Sequence, residues 1–426
     1  MITILPAFFA VLALGVPVAF ALGAVALGYL LITGDASLSI IPTVVFGGMD
    51  SFPLLAIPFF VLAGDLATRA DILSRMIDFA RSIFGPVRGG LAHVNVASSM
   101  LFGGVTGVAV ADTAAVGGTL IPAMIRDGYS RGFSGAITAS SSVMGAIIPP
   151  SVAMLIIIYI MGGGLSVTKL FLYGAVPGIL IGLGMMLYVA LIAKARNFPR
   201  SSDGWSISHI VGTFVPALPG LGLPVIVLGG ILGGVFTPTE AGAVAALYAL
   251  VLGLCYRTLD LSAIKESLLA SAKTSALVYL LLGTAKLIAW ILVLNLVPQK
   301  IGAFLQPLIG SGEMFLIAVV IIFLLLGFVM EGVAAMIMLV PIVAPMASMF
   351  GVDPYHMALV IVMTVQIALV TPPVAIGLFL VCPLAGCTIK DVSIEVIPFI
   401  GVILAVIMLV VFFPQIASFL PASLGY

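Results

Sequence analysis

Apolar residues fill long, nearly uninterrupted runs of this chain, at roughly 2–33, 53–68, 88–125, 133–163, 168–194, 213–256, 274–297, 314–350, 357–386 and 394–414. A hydrocarbon core about 30 Å thick needs about 20 helical residues per crossing, and most of these runs supply that length. Alternating segments of about ten residues, which a membrane β-barrel requires, do not occur. The pattern predicts an all-α polytopic membrane protein. The first run has no short apolar core followed by a soluble chain, so it reads as membrane span; it forms either one long helix or two short ones divided near Gly15 and Pro17.

One segment follows a different rule. In "TRADILSRMIDFARSIFG" (68–85), Ile72, Met76, Phe79, Ala80 and Ile83 share one helical face, and Asp71, Arg75, Asp78 and Ser82 share the other. That is the pattern of a helix lying along the membrane surface. The polar loop "KARNFPRSSDGWSISH" (194–209) divides the chain into a first part, 1–200, and a second, 201–426.

The punctuation repeats. A shift of 223 residues carries Pro149-Pro150 onto Pro372-Pro373, Pro122 onto Pro345 and Gly104 onto Gly327. Each part therefore reads as scaffold helices, a surface segment, a helical hairpin (88–126 and 314–350), a proline-broken helix (133–163 and 357–386) and a last span (168–194 and 394–414). Hydropathy does not separate a re-entrant hairpin from two crossings, since each arm is 16–18 residues. An odd number of crossings separates the two parts, so the expected arrangement is two inverted repeats, the architecture of secondary transporters.

Composition sharpens this. Hydrophobic residues make up 62% of the chain and charged residues 8%, against about 25% charged in soluble domains. Sixteen basic and sixteen acidic residues balance, which gives no basic patch for a nucleic acid. Thirteen of the basic residues fall on one side when the spans are followed in order, from Arg69, Arg75, Arg81 and Arg88 through Arg126, Arg131 and Arg196 to Lys390, and that side is cytoplasmic. Lys169 and Lys300 fall outside, and Lys286 lies within a helix. Cys255, Cys382 and Cys387 lack metal-ligand spacing and read as core residues.

Proline has no N–H and breaks the helix, freeing carbonyl oxygens that hydrocarbon does not tolerate. Such carbonyls, with nearby hydroxyls, suit a hard cation such as sodium. Ser140, Ser141, Ser142 and Ser151 flank one break; Thr364, Gln366 and Thr371 flank the other. The alternative is a plain kink whose hydroxyls bond back to the preceding turn. Intramembrane ionisable groups are functional candidates. Asp112 either holds helix ends or meets an ion, and Glu331 is expected to contact ion or substrate. Lys286 attracts an anion, pairs with an acid or snorkels. His93 is expected to satisfy a local hydrogen bond. Glu240, three residues after Thr237 and two after Pro238, is expected to close a capping box.

Four motifs in order, "FGGVTGVAVADTAAVGGTLIPAMI", "SSSVMGAIIPPSVAMLI", "GGVFTPTEAGAVAALYAL" and "TPPVAIGLFL", resemble the large membrane (DctM-like) subunit of tripartite ATP-independent periplasmic (TRAP) transporters over essentially the whole chain. The resemblance implies an elevator-type carrier in the bacterial inner membrane, coupled to Na+. It also implies two partners, a small four-helix membrane subunit and a soluble periplasmic binding protein, and a small carboxylate such as a dicarboxylate, sialic acid or sugar acid. No GxxxxGK[ST] phosphate loop is present, in keeping with an ion-driven process. Carried onto this chain, the sodium sites are expected at Gly103, Gly104, Thr106, Ser141 and Pro149, and at Glu331, Gly332, Thr364 and Thr371. Substrate contacts are expected at Gly107, Ser142, Ser151, Gln366 and Lys286, between the hairpin tips. Many members have serine at Val108 and aspartate at Glu331. Two rivals remain: a free-standing sodium-coupled di- or tricarboxylate carrier, and an intramembrane enzyme using Asp112 and Glu331, which lacks any added nucleophile motif.

Overall fold

The computed structural model describes residues 4–34, 37–200, 204–372 and 375–426. Among them every regular element is helical. The first part runs α1 (Ile4–Ala13), α2 (Val18–Thr33), α3 (Ile40–Gly47), α4 (Ala56–Arg69), α5 (Ile72–Phe84), α6 (Gly90–Thr106), α7 (Ala109–Arg126), α8 (Arg131–Ser142), α9 (Val152–Ile160) and α10 (Val167–Ala193). The second runs α11 (Ile207–Leu232), α12 (Pro238–Cys255), α13 (Leu261–Leu294), α14 (Val297–Leu305), α15 (Gly312–Gly327), α16 (Gly332–Val343), α17 (Pro354–Ile367), α18 (Ile376–Ala385), α19 (Ile389–Phe412) and α20 (Gln415–Ser423). Among the described residues, seven helical segments are long and apolar enough to cross a membrane.

Helix starts keep the register of the sequence punctuation. Ala109 of α7 and Gly332 of α16 are 223 residues apart, as are Arg131 of α8 and Pro354 of α17. The N-terminal run is two helices. Gly15 takes φ +82° and Pro17 precedes α2, so the chain turns there at no steric cost to a side chain.

The two parts interlock. α4 packs on α12 and α13, α8 on α19, α7 on α18, and α10 on α17, α19 and α20. Neither part therefore has a separate core. The amphipathic helix α5 starts after Asp71, which adopts a left-handed backbone at φ +58°, and packs on α6 and α11. Ile72, Met76 and Ala80 are buried as their spacing predicts. Ser82, expected on the wet face, is also buried, because Thr213 of α11 donates to it at 3.0 Å while it donates to the Phe79 carbonyl.

One boundary moves substantially. The span expected at 274–297 begins at Leu261, and the polar stretch before it is helical. Asp260 caps it, accepting the Ala263 N–H at 2.7 Å. Ser267, Ser271 and Ser275 then form a small-residue stripe at i, i+4, i+8, all buried; Ser271 donates to the Pro58 carbonyl of α4 at 2.7 Å. Arg69 ties the same two helices through Glu266.

Candidate functional site

The first hairpin tip meets the first broken helix backbone to backbone. α6 ends because Gly107 takes φ +63° and returns its N–H to the Gly103 carbonyl at 3.0 Å. Val108 is extended, and α7 starts. A Cβ built on Gly103 would lie 2.7 Å from Gly145 Cα, and one on Gly107 would lie 2.5 Å from the Pro150 oxygen. One on Gly104 would lie 3.4 Å from the Pro149 oxygen, so both proline carbonyls face tip glycines. The Val152 N–H donates to the Gly107 carbonyl at 3.2 Å and clasps the two elements together.

The break itself follows from two missing donors. Pro149 and Pro150, joined by a cis peptide bond, supply no N–H to the carbonyls of Gly145 and Ala146 four residues earlier. Ser151 compensates: its hydroxyl donates to the Ala146 carbonyl at 2.5 Å and accepts the Met154 N–H at 3.2 Å, which caps α9. α8 and α9 have 12 and 9 residues, so at 1.5 Å per residue each is under about 20 Å long and neither crosses alone.

The second tip repeats the plan with different residues. A Cβ on Gly327 would lie 2.8 Å from Ala368 Cβ, and one on Gly332 would lie 2.3 Å from the Val365 oxygen. Pro372 leaves the Ala368 carbonyl without its helical donor, and the Leu369 carbonyl accepts the Gly377 N–H at 2.9 Å. Pro373, the other half of the expected pair, lies outside the described residues. Glu331 is the N-cap of α16, accepting the N–H groups of Val333 and Ala334 at 3.0 Å each. That is a defined local role for the carboxylate expected to meet ion or substrate.

Several expected ligands turn their hydroxyls back to their own helix, the plain-kink behaviour. Thr364 donates to the Val360 carbonyl at 2.7 Å, Thr371 to Ile367 at 2.7 Å, Ser142 to Thr138 at 2.8 Å, and Thr106 to Phe102 at 3.4 Å. Ser141 joins a buried network that sequence reading missed. Asn95 of α6 donates to Thr138 at 2.7 Å and accepts from Ser141 at 3.0 Å, and Ser99 lies 3.0 Å from Ser141. The signal available was an asparagine one turn before a serine on the same face of α6. Gln366 is buried in α17. Lys286 is exposed, unlike its neighbours Ala285 and Leu287, and lies against Gly48.

Asp112 and Glu331 belong to different hairpins. Asp112, in the first turn of α7, is wholly buried; its N–H donates to the Val108 carbonyl at 3.2 Å and its carboxylate faces Ser99, Ser142 and Gly145. His93 does not make the expected bond at Nε2; its ring packs near Phe84, 6.4 Å between centroids. The capping box holds: the Thr237 N–H donates to Glu240 at 2.8 Å and the Glu240 N–H to Thr237 at 3.3 Å.

Comparisons with known proteins agree with this architecture. Residues 5–416 match the family model for the tripartite ATP-independent periplasmic transporter, DctM component. The large permease protein SiaM of a sialic acid TRAP transporter from Vibrio cholerae is 35% identical over 97% of this chain and 96% of its own length. The C4-dicarboxylate TRAP transporter large permease DctM of Pseudomonas aeruginosa is 37% identical over 89% of this chain and 88% of its own. Among solved structures, the YdaH transporter of Alcanivorax borkumensis superposes with a TM-score of 0.63 over 89% of each chain at 16% identity, a likeness of fold.

Proposed function

The chain belongs to the DctM component family of tripartite ATP-independent periplasmic transporters, and from that premise we propose a sodium-driven importer of a small organic acid. Large permeases of this family are multi-span membrane proteins that work with a small membrane subunit and a periplasmic binding protein; they are not enzymes. The carboxylate reading of the substrate draws support from relatives named for sialic acid and C4-dicarboxylates.

The observation that carries the coupling is the apposition of the Pro149 and Pro150 carbonyls with the tip glycines Gly104 and Gly107. Hard cations take oxygen ligands, and main-chain carbonyls at a helix break provide them without a buried charge. Thr106 and Ser141 stand beside the first such seam; Gly332, Thr364 and Thr371 stand beside the second, where Glu331 adds negative charge. Each ligand hydroxyl now bonded to its own helix exchanges a carbonyl for the ion. Lys286, the exposed cation of its stretch, attracts the carboxylate.

In this reading the two parts are inverted repeats. Each tip and its broken helix move as one body against α4, α11, α12 and α13, the elevator mode. Uptake of radiolabelled organic acids into proteoliposomes holding this chain and its small subunit tests the proposal, with and without an inward Na+ gradient and with and without binding protein. Uptake requiring both supports it. Sodium-driven uptake without the binding protein replaces it with a free-standing carrier, and a Thr106→Ala variant with unchanged sodium dependence removes the first site.

A further inference from the structure

Two thiols are brought together at the end of α18 by the way that helix terminates. Gly386 adopts a left-handed backbone at φ +61°; its N–H returns to the Pro383 carbonyl at 3.3 Å, and the Cys387 N–H returns to the Cys382 carbonyl at 3.2 Å. These are the two hydrogen bonds of a Schellman motif, whose geometry places the side chains of the residues at C3 and C″ in contact. Here those residues are Cys382 and Cys387, so the turn itself sets the two side chains next to each other. Both line an open cavity of about 1000 Å³, with Ser130, Arg131, Thr388 and Asp391. Cys387 is half-buried and Cys382 is 8% exposed, so a reagent in the cavity meets Cys387 first and Cys382 next to it.

The surroundings hold this arrangement still. Arg131, at the start of α8, donates to the Gly386 carbonyl at 2.8 Å. Asp391 is occupied in a capping box with Thr388, accepting its N–H at 3.0 Å and its hydroxyl at 2.7 Å. Among the described residues no cluster of three metal-binding side chains exists, so the pair does not extend to the four ligands of a zinc site. Arg131, Arg196 and Lys390 put the cavity on the cytoplasmic side by the positive-inside rule.

We propose that Cys382 and Cys387 form a two-thiol site on the cytoplasmic face for soft, thiophilic acceptors that accept two sulfur ligands, with trivalent arsenicals as the defining class. With phenylarsine oxide the chemistry is balanced and involves no redox step. Two S–H bonds break, two As–S bonds form, and the arsenic-bound oxygen leaves with both protons as one water. Soft sulfur ligands select such acceptors over hard cations, which separates this site from any oxygen-lined sodium site.

The test is phenylarsine oxide binding to the purified full-length chain in a Cys255→Ser background, which removes the exposed third thiol. One arsenical per chain is expected by intact mass, resistant to excess monothiol and released by a dithiol. Cys382→Ser and Cys387→Ser should each retain it roughly a hundredfold or more less tightly, because one-point attachment loses the effective concentration of the second thiol. Monodispersity and a parental unfolding temperature show that each variant is folded. Equal retention by either single-thiol variant, or release from the parent by monothiol, overturns the proposal.

Discussion

Replacing Gly107 by alanine tests whether the first tip is clasped to the first broken helix. Two penalties act together. Gly107 sits at φ +63°, where a Cβ costs about 1–2 kcal/mol. That Cβ would also lie 2.5 Å from the Pro150 oxygen, well inside van der Waals contact, and relieving such overpacking costs about 1–3 kcal/mol. Together these come to about 2–5 kcal/mol against the closed tip, a factor of roughly thirty to several thousand in its population at 1.4 kcal/mol per tenfold. The Val152 N–H to Gly107 carbonyl bond, at 3.2 Å, opens with it. Gly118 provides the control: it lies on α7 with nothing within 4 Å of its added Cβ, so Gly118→Ala should be neutral or gain up to about 1 kcal/mol of helix propensity. Initial uptake rates in proteoliposomes and unfolding temperatures in detergent should both fall for Gly107→Ala and hold for Gly118→Ala. Uptake by Gly107→Ala within twofold of the parent would refute the clasp.

Gly332→Ala should fail in the same assays, since its Cβ would lie 2.3 Å from the Val365 oxygen; normal uptake would mean that the second tip is not seated there. Asn95→Ala removes its hydrogen bonds to buried Thr138 and Ser141 and should cost about 1–3 kcal/mol, read as a lowered unfolding temperature; an unchanged temperature would count against the network. Glu240→Ala removes the carboxylate that accepts the Thr237 N–H at 2.8 Å and hydroxyl at 2.9 Å and should lower the unfolding temperature; an unchanged temperature would count against the box.

What the sequence determined by itself is what depends on neighbours along the chain. Apolar run length set the membrane class, and missing proline donors set the breaks at Pro149-Pro150 and Pro372. Thr237 and Glu240 closed their box because both partners lie within one helical turn. The tip glycines were legible as punctuation, although their reason, the approach of Gly145 and of the Pro150 and Val365 oxygens, was not. Tertiary structure alone decided where a polar group found its partner. Ser141 met Asn95, more than forty residues away, as well as the Thr138 carbonyl of its own helix, while Thr364 and Thr371 turned to their own helix. The serine stripe of α13 became helical and buried because α4 lay beside it, and not through any local preference for the membrane. Glu331, by contrast, caps α16 through bonds within its own turn. A buried donor or acceptor must be satisfied by whatever packing brings within 3 Å or so, and that choice is made by the fold.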